Sequence, residues 1–276
     1  MNDNSDLPKP FEAFLIIVFS FIFVVIVTQV LSFIFVPETE EGNPNSLALK
    51  MLITFGEIGL ILVPFVYVRS RGLSYKKVFR WNKVPGPILL WSFLIGLGIS
   101  FVGDELDRLI NIIIPAPEFL EQLSEALKIA SISDFFLLGI GAVVIAAFIE
   151  ESIIRGFLQT SLEKYQDVTR AVIYASLAWT IIHGVIYWAI QIFLMGIILG
   201  LLAWRSNSIV PSVIGHATNN AAAILFYNIN QEKLRGIYLW GNHVSPLVLI
   251  MAVIFIFWGV KTFYQYYGIS DGEHRP

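Results

Sequence analysis

Three short stretches hold most of the membrane-embedded polar chemistry of this sequence. FIEESIIR contains Glu150, Glu151 and Arg155, WTIIHGVIYW contains His183, and PSVIGHATNN contains His216, Asn219 and Asn220. All sit in or at the end of apolar runs, where an ionisable side chain is costly unless paired or hydrated. Each is therefore a functional candidate. Glu151 and Arg155 are four apart and share a helical face, with the glutamate N-terminal as a favourable pair requires. Glu150 lies about 100° round the same helix and has no local partner, so it must meet another helix or water. His216 and Asn220, again at i and i+4, project from one face, beside Gly215, which permits close helix approach. Tyr187, one turn after His183, is a candidate hydrogen-bond partner for it. Glu57 in GEIG, Gln29 and Gln191 are further ionisable or amide candidates in the apolar runs, and Asn219, pointing off the His216 face, is expected to bond between helices.

A carboxylate and an imidazole at hydrogen-bonding range can take a proton from a water held between them. A second imidazole with a side-chain amide can donate to the oxyanion of a tetrahedral intermediate. Glu150 with His183, and His216 with Asn220, would together hydrolyse a peptide bond. Alternatively, Glu150, His183 and His216 supply three ligands to Zn2+ and leave a fourth position for water. Spacing alone does not choose between these. G-x-S-x-G and H-E-x-x-H are both absent, and the chain has no cysteine, which removes thiolate metal sites and cysteine nucleophiles. The bland alternatives are carboxylates reaching the headgroups, a packed histidine, and polar residues joining helices.

The elements that must position these groups follow from composition. Apolar residues make up 56% of the sequence and charged ones only 14%, with a mean hydropathy of +0.72. That lies far from the roughly one-quarter charged residues of a soluble domain. Several apolar runs reach the length of about 20 residues needed to cross a hydrocarbon core. The expected fold is all-α, a polytopic membrane protein forming one domain over 1–276. Its eight expected spans are about 11–36, 47–68, 86–103, 134–158, 170–188, 190–204, 209–228 and 244–264. The first run, Phe11 to Val36, exceeds a signal-peptide core and lacks a cleavage pattern, so it is read as a retained span.

Loop lysine and arginine set the orientation. RSRGLSYKKVFRWNK, with Arg69, Arg71, Lys76, Lys77, Arg80 and Lys83, is placed in the cytoplasm, and the acidic PETEEGNPNS outside. Both termini then fall in the cytoplasm of a protein expected in the plasma membrane. Glu118 to Ile132 is expected to form an interfacial helix or a solvated loop helix. Glu150 and His216 would lie roughly 10–12 Å below the cytoplasmic surface and mid-span His183 roughly 18–20 Å below it, at about 1.5 Å per residue. One cytoplasmic-half pocket could thus hold all four groups.

The ordered set E-E-x-x-x-R at Glu150, Glu151 and Arg155, the histidine His183, and H-x-x-x-N at His216 and Asn220 resembles the CPBP family. That family comprises intramembrane proteases of the CAAX prenyl protease 2 (Rce1-like) and bacteriocin-immunity (Abi) types. The resemblance implies a catalytic core over 134–228, with Glu150 and His183 activating water, His216 and Asn220 forming an oxyanion hole, and Glu151 and Arg155 supporting the site. It implies a membrane peptide or protein substrate, prenylated or not, and leaves the cofactor as none or Zn2+, in a family often labelled metalloprotease. Two positions depart from the family pattern: Trp179 and Ser212 stand where phenylalanine is usual four residues before each histidine. The expected partners are that substrate and the lipid bilayer, with no nucleic acid. The rival functions are a proton-coupled transporter using Glu57, Glu150 and the histidines as a relay, and a non-catalytic immunity or scaffold protein. No broken-helix inverted repeat supports the first, and a complete set of site residues argues against the second.

Overall fold

The computed structural model describes residues 6–35, 46–118, 120 and 127–268. Helices occupy all eight expected regions. They are α1 (Pro10–Phe35), the pair α2 (Ser46–Leu60) and α3 (Leu62–Ser70), α5 (Gly86–Ile113), the continuous helix α6 (Ile132–Tyr165), α7 (Val168–His183), α8 (Ala189–Ser206), α9 (Val210–Asn228) and α10 (Pro246–Tyr266). A single turn, α4 (Tyr75–Val78), interrupts the basic loop, and a two-residue hairpin, β1 (Leu239–Trp240) with β2 (His243–Val244), precedes α10. The hairpin sits against the end of α5, where Tyr238 donates to Asp104 at 2.9 Å. Burial, and then the Asp104 charge, push the Tyr238 hydroxyl pKa up.

Six of these segments are long and apolar enough to cross a membrane. Of the remaining two, α7 has 16 residues, and α9 carries His216, Asn219 and Asn220 within its 19. Large apolar side chains such as Phe19, Phe33, Ile132, Ile181 and Ile250 stand exposed round the bundle, the surface a bilayer would cover. The protein is an integral membrane protein. Of the expected interfacial helix over Glu118 to Ile132, residues 119 and 121–126 lie outside the described residues, and the described stretch 127–130 within it is not helical. The acidic segment PETEEGNPNS also lies almost wholly outside them.

Three boundaries differ from expectation. α5 runs ten residues beyond its expected end at 103, to Ile113. α6 extends over 34 residues, about 50 Å at 1.5 Å per residue, so Glu150 lies near its middle and not eight residues from its end. α7 stops at His183, where Gly184 adopts a left-handed conformation at φ 66° and closes the helix. A short 3-10 turn, Ile186–Trp188, then leads into α8. His183 is therefore a helix-terminal residue and not a mid-span one. The depths expected for Glu150 and His183 do not survive these changes.

Small residues let the helices approach closely, as packing without an aqueous driving force requires. A Cβ on Gly96 of α5 would lie 2.7 Å from the Gly215 carbonyl of α9, and one on Gly98 would lie 2.7 Å from the Ala252 carbonyl of α10. Gly156 of α6 abuts the Phe79 backbone. The basic loop thereby folds onto α6: Phe79 stacks between Trp81 and Phe157, and the Trp81 indole donates to Ser152 at 3.2 Å. Arg80 pairs with Glu163 near the end of α6.

Candidate active site

The local shape of α6 separates its two adjacent carboxylates. The turns Leu137–Ile145 and Ser152–Leu158 are π-helical and flank the α-helical Ala146–Glu151, an irregularity common at functional sites. Glu151 turns inward and is fully buried. Its Oε1 accepts from Arg155 at 2.8 Å and lies 3.0 Å from His216 Nδ1. Arg155, also fully buried, donates to the Gly196 carbonyl at 3.3 Å and stacks 4.3 Å from the Trp179 ring. This pair ties α6, α7, α8 and α9 together.

Glu150, about 100° round the helix, reaches the indole edge of Trp179 on α7. Its Oε2 accepts from the Trp179 indole at 2.6 Å and lies 3.7 Å from His183 Nε2. The other ring nitrogen of His183 lies 2.8 Å from the Trp179 carbonyl. A carbonyl can only accept, so Nδ1 carries a proton and Nε2 is the ring nitrogen turned towards Glu150. Tyr187 is not that partner; it lies buried in the 3-10 turn.

Trp179 is the hub that the residue types alone did not reveal. Its ring meets His183 edge-on at 4.9 Å and His216 at 5.2 Å, and it is 1% exposed. The sequence signal was the tryptophan in place of phenylalanine, since a buried indole N–H needs an acceptor and a phenyl ring offers none. Trp179→Phe is expected to lower kcat about tenfold, at the cost of one charge-assisted hydrogen bond, with KM near wild type. Steady-state kinetics check this; a rise in KM at constant kcat would place Trp179 in substrate binding instead.

The four hydrolytic candidates do not share one cavity. Glu150 and His183 line a space of about 290 Å³, whereas His183, His216 and Asn220 line a second of about 460 Å³. Glu57, Trp179 and His183 stand in the walls of both. Asn220 donates to the Ala142 carbonyl in the first π-helical turn at 2.9 Å. Asn219 lines the larger cavity beside it, Gln191 packs against Gly103, and Gln29 is exposed on α1. Ser212 donates to the Leu199 carbonyl at 2.7 Å and joins α9 to α8.

Residues 132–222 match the model of a family described as type II CAAX prenyl endopeptidase, Rce1-like. Over that stretch the chain is similar to the Rce1-like family. The Rce1-like stretch contains Glu150, Glu151, Arg155, Trp179, His183, His216 and Asn220, and leaves out Glu57. No curated protein and no solved structure matches the chain.

A zinc ion does not fit the site as it is built. Among the described residues no three histidine or acidic side chains are placed to hold a metal. His216 turns Nδ1 to Glu151 and lines a different cavity from Glu150.

Proposed function

We propose that the protein is an intramembrane endopeptidase that hydrolyses a peptide bond in a membrane-associated, CAAX-type substrate. The observation that carries this is the Glu150–His183 pair at the cavity wall, its acceptor nitrogen freed by the Trp179 carbonyl. A gap of 3.7 Å between Glu150 Oε2 and His183 Nε2 is too long for a direct bond, and a water touching both can bridge it. Those two groups take its proton as its oxygen attacks the scissile carbonyl. The substrate lies across the junction of the two cavities, so that its carbonyl oxygen enters the larger one beside His216 and Asn220. For His216 to donate from Nε2 it must carry both ring protons, and the Glu151 carboxylate at Nδ1 supplies the counter-charge. Asn220 has a second amide hydrogen beyond the one held by Ala142. Donors at an oxyanion are worth about 100- to 1,000-fold each in rate.

The distribution of lysine and arginine supports cytoplasmic termini, with the site opening towards the cytoplasmic half of the plasma membrane. The test uses purified protein in detergent, a prenylated CAAX-type peptide and unprenylated membrane-peptide controls, read by mass spectrometry. Cleavage of the prenylated peptide is expected. Cleavage of a control alone would retain the hydrolase and discard the CAAX assignment, and inertness towards every peptide would discard both. Activity is expected to persist after exhaustive chelation, because the donors do not converge; loss restored by added Zn2+ would reinstate the metal.

A further inference from the structure

One ionisable residue at this site lies outside the matched stretch. Lys50, Thr54 and Glu57 follow the i, i+4, i+7 spacing of a single helix face, and this face of α2 is fastened along α6. Lys50 pairs with Asp134 at 2.8 Å, with both side chains buried. Thr54 fills the space above Gly141, where a Cβ would collide with it. The next turn brings Glu57 to the cavity wall shared with Glu150, Trp179 and His183. On another face of α2, Gly56 and Gly59 let α1 approach: Cβ atoms there would lie 3.2 Å from Thr28 and 3.0 Å from Val24. The glycines around Glu57 hold the helix close while its carboxyl stays in the cavity.

Among the described residues, Glu57 Oε2 is buried with no hydrogen-bond partner. An unpaired carboxylate in such a place is costly, and a second one, Glu150, lines the same space. Two carboxyls facing one apolar cavity avoid double ionisation when one keeps its proton.

We propose that Glu57 is the proton donor to the leaving amine, the second carboxyl of the reaction. This rests on the endopeptidase reading above. Glu150 and His183 take one proton from water as the C–O bond forms and the carbonyl π pair moves to oxygen. When the intermediate collapses, the C–N bond breaks and the nitrogen takes the proton from the Glu57 carboxyl. The proton first removed from water then passes back to Glu57. One water is consumed, and a carboxylic acid and an amine are released.

The test is the dependence on the leaving group. The prenylated CAAX-type peptide is compared with its thiodepsipeptide analogue, whose scissile bond is a thioester and whose thiolate leaves without a proton. Glu57→Gln is expected to slow amide cleavage about 100-fold, the usual scale of general acid catalysis, and thioester cleavage less than about fivefold. Glu57→Asp keeps a carboxyl and is expected to retain several-fold more amide cleavage than Glu57→Gln. Equal losses on both substrates, no loss on either, or equal amide rates in the Asp and Gln variants would overturn the assignment while leaving the endopeptidase standing. Wild-type protein inert towards both substrates would overturn the endopeptidase reading and this one with it.

Discussion

Glu150→Gln is expected to reduce kcat about 1,000-fold, within the range lost when a positioned general base is removed, while the protein still folds. The two halves of that expectation have separate causes. A glutamine amide oxygen can still accept from the Trp179 indole, so the 2.6 Å contact and the packing of α7 on α6 survive. The amide is not a base, so it cannot take the proton of the water proposed to bridge Glu150 and His183, and kcat and kcat/KM should fall together as they do when an interaction of the transition state is lost. Glu151→Gln, one residue on, should behave in the opposite way. It leaves Arg155 and His216 without their carboxylate and should lower thermal stability as well as activity. Parallel measurement of turnover and of Tm in detergent separates the neighbours. A Glu150→Gln variant with full activity would remove Glu150 from the chemistry altogether.

How much of this could be read from residue order differs between elements. The helices were legible because apolar runs of span length have few other solutions in a bilayer. The break after His183 was not, because only Gly184 marks it in an otherwise apolar stretch. A single glycine inside such a run reads as tolerated packing as easily as a left-handed cap. The π-helical turns of α6 were hidden for a related reason: Leu137–Ile145 is apolar on every side, so no polar stripe betrays a change of helical period. At the site, the pairing of Glu151 with Arg155 followed from i, i+4 spacing and is present as a buried ion pair, while Glu150, outside that pair, accepts from the Trp179 indole. Three-dimensional information entered where partners come from distant helices. His216 turns to Glu151 and so leaves Glu150's cavity, and Glu57 comes into that cavity through contacts of Lys50 and Thr54 with α6.

Arg155→Met should be the most destabilising single change near the site, by about 3–5 kcal/mol, the cost of leaving one member of a buried ion pair uncompensated. Methionine fills similar space and can still lie on the Trp179 ring, so the loss would come from charge and hydrogen bonding and not from a void. Glu151 would keep its 3.0 Å contact with His216, but the cation holding its Oε1 at 2.8 Å would be gone, as would the donor to the Gly196 carbonyl. That carbonyl lies where α7 and α8 touch, since Gly196 abuts Ser176, so the hairpin carrying His183 should loosen as well. The double variant Glu151→Gln/Arg155→Met removes both charges and should recover most of the lost stability, because replacing a buried pair by neutral groups is often near neutral. Thermal unfolding of the two single variants and the double variant measures this coupling as a cycle. Additive losses would mean that the pair is not an energetic unit. Strong coupling with activity still lowered in the double variant would show that the pair does more than hold the bundle together, as expected if Glu151 is the counter-charge of a His216 that donates to the oxyanion in the proposed reaction.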